Sequence, residues 1–176
     1  MNTHFGNGNR PPIGAAMVIG GGIAGMQAAL DMADQGFKVY LVEKQSAIGG
    51  RMAQLDKTFP TNDCAMCTIS PKLVETGRHP NIEIMTGTEA LALTGEAGHF
   101  QVRVRHEPRY IDPDKCVACN ACAEVCPVII QDAFNEGLSP RRAAYKLYPQ
   151  AVPNAYAIEK RGIAPCRDAC PAGQRA

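Results

Sequence analysis

From Ala15 onward the apolar positions fall into short blocks whose period changes along the chain. Ala15-Ala16-Met17-Val18-Ile19 is a continuous apolar run of strand length, and behind it Ala, Leu and Met recur at helical spacing to about Gln35. Gly36 ends that helix, and Phe37-Lys38-Val39-Tyr40-Leu41-Val42 reads as a second strand. Pro71 punctuates the next stretch, so a helix is predicted over residues 72–77, with a loop before it. Ile82-Glu83-Ile84-Met85-Thr86 then alternates, Ala90-Leu91-Ala92-Leu93-Thr94 follows, Gly95 to Gly98 supplies a turn, and Phe100-Gln101-Val102-Arg103-Val104-Arg105 alternates strictly. That pattern predicts a parallel strand followed by a β-hairpin, with Arg103 and Arg105 on its solvent face. Past His106 the periodicity fades into a proline-bearing connector and a mixed polar stretch over residues 128–148, where Arg141, Arg142 and Lys146 are expected to form a solvated basic face. Strand, helix, strand and a further parallel strand make this an α/β chain.

Composition narrows the classes. The 176 residues hold one ordinary domain or two small ones, and 45% hydrophobic content is enough for a core. Lys plus Arg is 18 against 17 for Asp plus Glu, a formal charge of +1, so nucleic acid is not an expected partner. No apolar run reaches the length of a membrane span. Residues 1–14 are Asn/Gly/Pro-rich and are expected to be a disordered arm rather than a signal peptide. Eight cysteines would suit a secreted disulfide scaffold, but without a signal peptide the expectation is a cytoplasmic protein whose cysteines bind metal or carry redox chemistry.

Cys116, Cys119, Cys122 and Cys126-Pro127 have the spacing of a bacterial-ferredoxin cluster loop. Three thiolates three residues apart let a short loop curl around one corner of an iron–sulfur cube, and Ala118, Ala121 and Ala123 leave room for it. A zinc knot usually brings two separated Cys-x-x-Cys pairs, which fits this run less well. Cys126 either completes the cube locally or serves another cluster, the first then being completed by a remote Cys-Pro. Cys166-x-x-x-Cys170-Pro171 supplies the one remote candidate, although Lys160 and Ile163 stand where two leading cysteines of a second set would fall.

Nearer the N-terminus, Gly20-x-Gly22-x-x-Gly25 lies between the first strand and its helix, with Glu43 at the end of the second strand. In such a dinucleotide fingerprint Gly20 makes the tight turn, Gly22 lets a pyrophosphate approach the backbone at the helix N-terminus, and Gly25 lets the helix lie close on the strand. The acid meets the ribose hydroxyls. The pair Cys64-x-x-Cys67 leaves three readings open: a redox dithiol, half of a metal site, or two buried small hydrophobes. His79 is expected to be a satisfied loop residue, and His4, His99 and His106 have no ligand spacing around them.

Glu43-Lys44 followed by Gly49-Gly50-Arg51 resembles the flavoproteins of glutathione-reductase type. That resemblance implies a Rossmann-type FAD-binding domain in which Glu43 takes the adenosine ribose, Lys44 belongs to the acid–lysine pair, and Gly49, Gly50 and Arg51 line the pyrophosphate side. The stretch from Met52 through Thr58-Phe59-Pro60-Thr61-Asn62-Asp63-Cys64-Ala65-Met66-Cys67 is similar to the A-subunit family of heterodisulfide reductases. The similarity continues through Tyr110-Ile111-Asp112, Phe134-Asn135-Glu136-Gly137-Leu138 and Pro149-Gln150-Ala151-Val152-Pro153-Asn154. It implies an iron–sulfur flavoprotein: an FAD domain over residues 15–106, an inserted ferredoxin-like 4Fe-4S module over 107–160, and partners that are other redox subunits or ferredoxin-type carriers. Residues 161–176 resemble the opening of glutamate synthase small subunits, a further cysteine-bearing segment. The FAD domain lacks its later strands, so the chain reads as the N-terminal fragment of a longer oxidoreductase. An electron-transfer role between FAD and 4Fe-4S clusters is the leading expectation. A nicotinamide-oxidising, glutamate-synthase-like enzyme and a non-catalytic metal-stabilised binding module are its alternatives.

Overall fold

The computed structural model describes residues 14–159 and 165–173. The expected N-terminal arm, apart from Gly14, lies outside these residues, as do Lys160 and Ile163. The chain divides into two compact units, Met1–His106 and Glu107–Ala176.

In the first unit, β1 (Ala15–Ile19), α1 (Ile23–Asp34) and β2 (Lys38–Glu43) form the strand–helix–strand read from the sequence. A 3-10 turn (Gly50–Gln54) and a short hairpin of β3 (Lys57–Thr58) with β4 (Asp63–Cys64) lead into α2 (Ala65–Arg78). β5 (Ile82–Thr86) then joins a parallel sheet of order β1-β2-β5, with Val18 opposite Leu41 and Leu41 opposite Ile84. α1 packs on β2 and α2, and Met26, Leu41, Ile48, Ile69 and Leu73 are fully buried among these elements. Burying such side chains contributes about 1.5–3 kcal/mol each, enough to fix the sheet register against a slip. β6 (Thr88–Thr94) and β7 (Gln101–His106) form the predicted hairpin, bulged between Ala90 and Ala92.

One boundary differs from the sequence reading. α2 begins at Ala65, not at residue 72, and carries Pro71 inside it. The cost of a proline's missing N–H is outweighed because Ala65, Ile69, Leu73 and Thr76 lie on one buried face, and because Cys64 caps the start by accepting the Cys67 amide at 3.1 Å. His79 is satisfied as expected: its Nε2 meets Asp34 Oδ1 at 3.2 Å and its Nδ1 accepts the Asn81 amide at 3.1 Å.

The second unit is built from short pieces. α3 (Ala121–Glu124) follows the cysteine loop, β8 (Ile129–Gln131) pairs antiparallel with β9 (Pro140–Arg142), and β10 (Ala144–Tyr145) pairs antiparallel with β11 (Ala157–Ile158). α4 (Cys166–Ala169) carries the last two cysteines at and just beyond its ends. Of the solvated basic face expected at Arg141, Arg142 and Lys146, Arg142 is exposed, whereas Arg141 is drawn inward. Arg141 lies over the Tyr145 ring at 3.6 Å and pairs with Glu159 at 3.0 Å, with only 16% of its side chain exposed, and Arg142 donates to the Cys126 carbonyl at 2.9 Å. With few large apolar residues available, long guanidinium side chains supply both packing and hydrogen bonds.

Gly25 tests the strand–helix contact. A Cβ there would stand 1.8 Å from the Gly20 carbonyl oxygen. Gly25→Ala is expected to destabilise the first unit by about 1–3 kcal/mol through overpacking, read as a lower denaturant midpoint. An unchanged midpoint would show that α1 lifts off the turn freely.

Candidate functional site

Two sites emerge, one in each unit. In the first, Gly20 follows β1 at a positive φ of 102°, and the Gly20 amide donates to the Val42 carbonyl at 2.7 Å, tying the turn to the end of β2. Gly22 caps α1 in an extended conformation without a side-chain cap bond, and no atom lies within 4 Å of where its Cβ would stand. The loop of Gly49 and Gly50 closes over the same place: the Gly49 amide donates to the Gly21 carbonyl at 2.7 Å, and a Cβ on Gly50 would meet Gly22 Cα at 2.9 Å. A helix N-terminus facing open space, framed by backbone that tolerates no side chain, fits a pyrophosphate and hence the FAD of the sequence reading.

Glu43 does more than the sequence suggested. It is 9% exposed, and its two oxygens accept the Gly21 and Gln45 amides, each at 2.7 Å. The carboxylate thus braces the turn, and its remaining lone pairs are still able to accept a ribose hydroxyl. Lys44 is engaged elsewhere, its Nζ 3.1 Å from Glu89 Oε1 on β6. That hydrogen bond, the Lys44 charge and the nearby Arg105 hold the Glu89 carboxyl below its usual range. Arg51 sits exposed in the 3-10 turn and donates to Gln54 Oε1 at 3.2 Å. Cys64 and Cys67 form a disulfide at the start of α2, and both are exposed, which removes the reading as two buried hydrophobes.

In the second unit, Ala118 and Asn120 take left-handed φ values of 54° and 73°, curling the loop that carries Cys116, Cys119 and Cys122. All three line a cavity of about 310 Å³, and Cys166 and Cys170 line it from α4 and the residue after it. Burial pushes the Cys122 thiol up to about 11, with Cys116 and Cys166 adding to the rise. The Cys166 thiol is likewise raised, by burial first and then by Cys126 and Cys170. Cys126, a ligand in the local arithmetic of the sequence, does not line the cavity. It is buried with Ala143 and Ala144, and its Sγ donates to the Val128 carbonyl at 3.7 Å. Among the described residues no three His, Cys, Asp or Glu side chains converge to hold a single metal ion. Cys116, Cys119, Cys122, Cys166 and Cys170 nonetheless share one cavity.

Tyr156, Arg109 and Asn120 were not foreseen, because no motif marks them. The Tyr156 amide donates to Cys116 Sγ at 3.4 Å and its hydroxyl to Asn120 Oδ1 at 2.6 Å.

A parallel Rossmann-type sheet with a braced glycine turn defines a nucleotide-binding α/β domain. The FAD dependent oxidoreductase family matches residues 16–143, and the chain belongs to that family. Its similarity to the A subunits of heterodisulfide reductases is close. It is 56% identical over 143 residues to the second iron-sulfur A subunit of the CoB--CoM heterodisulfide reductase of Methanopyrus kandleri, covering 81% of this chain and 22% of that protein. It is 52% identical over 145 residues to the A subunit of the H(2):CoB-CoM heterodisulfide,ferredoxin reductase of Methanothermobacter marburgensis, covering 82% and 22%. The chain thus spans 22% of the length of these curated relatives. Of solved structures, L-proline dehydrogenase from P. horikoshii aligns with a TM-score of 0.45 and 28% identity over 52% of this chain and 19% of that one. Among the described residues no helix is long and apolar enough to cross a membrane.

The disulfide gives a direct test. Under denaturing, non-reducing alkylation the peptide holding Cys64 and Cys67 is expected to remain unlabelled, and to gain two alkyl groups after reduction. Full labelling without reductant would show a free dithiol.

Proposed function

We propose that this chain is the flavin- and cluster-bearing part of an electron-transfer oxidoreductase resembling the heterodisulfide reductase A subunits. The observation that carries the reading is the cavity lined by Cys116, Cys119, Cys122 and Cys170, in a chain whose other unit holds an FAD-type turn. When bound, the flavin supplies two-electron chemistry and the cluster one-electron chemistry, so the pair converts between the two. Residues 15–106 serve as the FAD domain, 107–160 as an inserted ferredoxin-like module, and 161–176 as a segment that lends it a ligand. Relatives carry "iron-sulfur" and "ferredoxin reductase" in their names, which supports a cluster here and redox subunits or ferredoxin-type carriers as partners.

At the flavin site Gly22 leaves room for the pyrophosphate, Gly20, Gly25, Gly49 and Gly50 shape the surrounding backbone, and Glu43 keeps the turn closed while accepting from the ribose. Lys44 and Arg51 contribute charge from the rim. At the cluster site Cys116, Cys119 and Cys122 hold three corners. Cys170, followed by Pro171, holds the fourth, while Cys126 faces its small apolar core.

Two experiments test this. Gly22→Val is expected to keep the fold, since its side chain enters open space, and to lose bound FAD, measured by the flavin absorbance released on denaturation. Retained FAD would move the site away from this turn. The anaerobically purified chain is expected to hold roughly four irons. Cys170→Ser is expected to lose the cluster or change its spin-resonance signal, while Cys126→Ser keeps both; the reverse pattern would restore Cys126 as the ligand.

A further inference from the structure

The hydrogen bonds around the cysteine loop converge on a segment that carries no cysteine. Through its amide on Cys116 Sγ and its hydroxyl on Asn120, Tyr156 spans the loop from the first cysteine to the left-handed turn between the second and third. Behind it, Arg109 Nε donates to the Tyr156 carbonyl at 2.9 Å and Arg109 Nη2 to the Ala155 carbonyl at 2.6 Å. The Arg109 carbonyl in turn accepts the Ile158 amide at 3.1 Å. A guanidinium is a rigid planar fork, so gripping two consecutive carbonyls fixes the orientation of the peptide that follows Ala155. That peptide is the one whose N–H meets the Cys116 sulfur. Tyr156 is buried and Arg109 half-buried, so water does not readily replace either contact.

Reduction of a cluster adds one electron, and part of the added charge appears on its cysteine sulfurs. An N–H aimed at such a sulfur, with a cation behind it, favours the reduced form and raises the reduction potential. We propose that Arg109 is a positioning residue of the cluster site, holding the Tyr156 amide on Cys116 and so setting the potential at which the cluster accepts an electron. This rests on the iron–sulfur reading of the cavity. The step is the transfer of one electron from reduced flavin, or from dithionite in a titration, to the oxidised cluster, with no bond made or broken.

The test is a dithionite titration of the anaerobically purified, iron-containing full chain, followed by low-temperature spin resonance, with iron counted in each sample. Arg109→Met is expected to retain iron and to make reduction at least about tenfold less favourable, which for one electron is ~59 mV more negative. Arg109→Lys keeps the charge and loses the fork, and is expected to shift in the same direction by at least about threefold. If Arg109→Met fails to hold iron, the Lys variant alone decides. A potential unchanged from wild type in Arg109→Lys overturns the positioning role while leaving the cluster assignment intact. Wild-type protein without iron overturns both.

Discussion

The first unit depends on a buried carboxylate. Glu43 ends β2 with its side chain turned back under the glycine turn, where Gly21 and Gln45 both donate to it. A buried charge is tolerated only when hydrogen bonds replace its lost water, and here those bonds join the β1–α1 turn to the loop after β2. The Gly49–Gly50 loop is drawn onto Gly21 and Gly22 at the same point. The nucleotide platform is therefore one hydrogen-bonded knot of backbone, and the buried side chains of α1 and α2 hold it against the sheet.

The second unit solves a different problem. Its buried residues are mostly small, with Cys126, Ala143 and Ala144 forming a cluster bordered by Cys122, Val128 and Ile158. So little apolar area stabilises a fold weakly, and units of this size commonly rely on a metal centre or equivalent cross-link. Arg141, stacked on Tyr145 and paired with Glu159, and Arg109, gripping residues 155 and 156, act as polar cross-links among its short strands. A thiol-lined cavity stands between the cysteine loop and α4, and a group bound there would draw the two together.

The glycine turn and the cysteine loop make different demands on the backbone: an open helix N-terminus for the one, and a tight loop for the other. The chain separates them into two compact units, so that neither geometry compromises the other.

What the sequence determined was whatever depends on near neighbours. The glycine turn, the strand–helix–strand and the hairpin follow from period and punctuation, and the cysteine loop is marked by its spacing. Tertiary structure decided the rest, because it depends on which distant groups meet. Pro71 stayed within α2 because a buried face outweighed one lost hydrogen bond. Arg141 left the solvent because the unit had carboxylates and a ring to offer it, whereas Arg142 stayed exposed while donating to a carbonyl. Cys126 and Cys170 have the same Cys-Pro signature in sequence, yet one is enclosed beside two alanines and the other lines the cavity. Spacing along the chain carries no information about which way a thiol faces once its neighbours have packed.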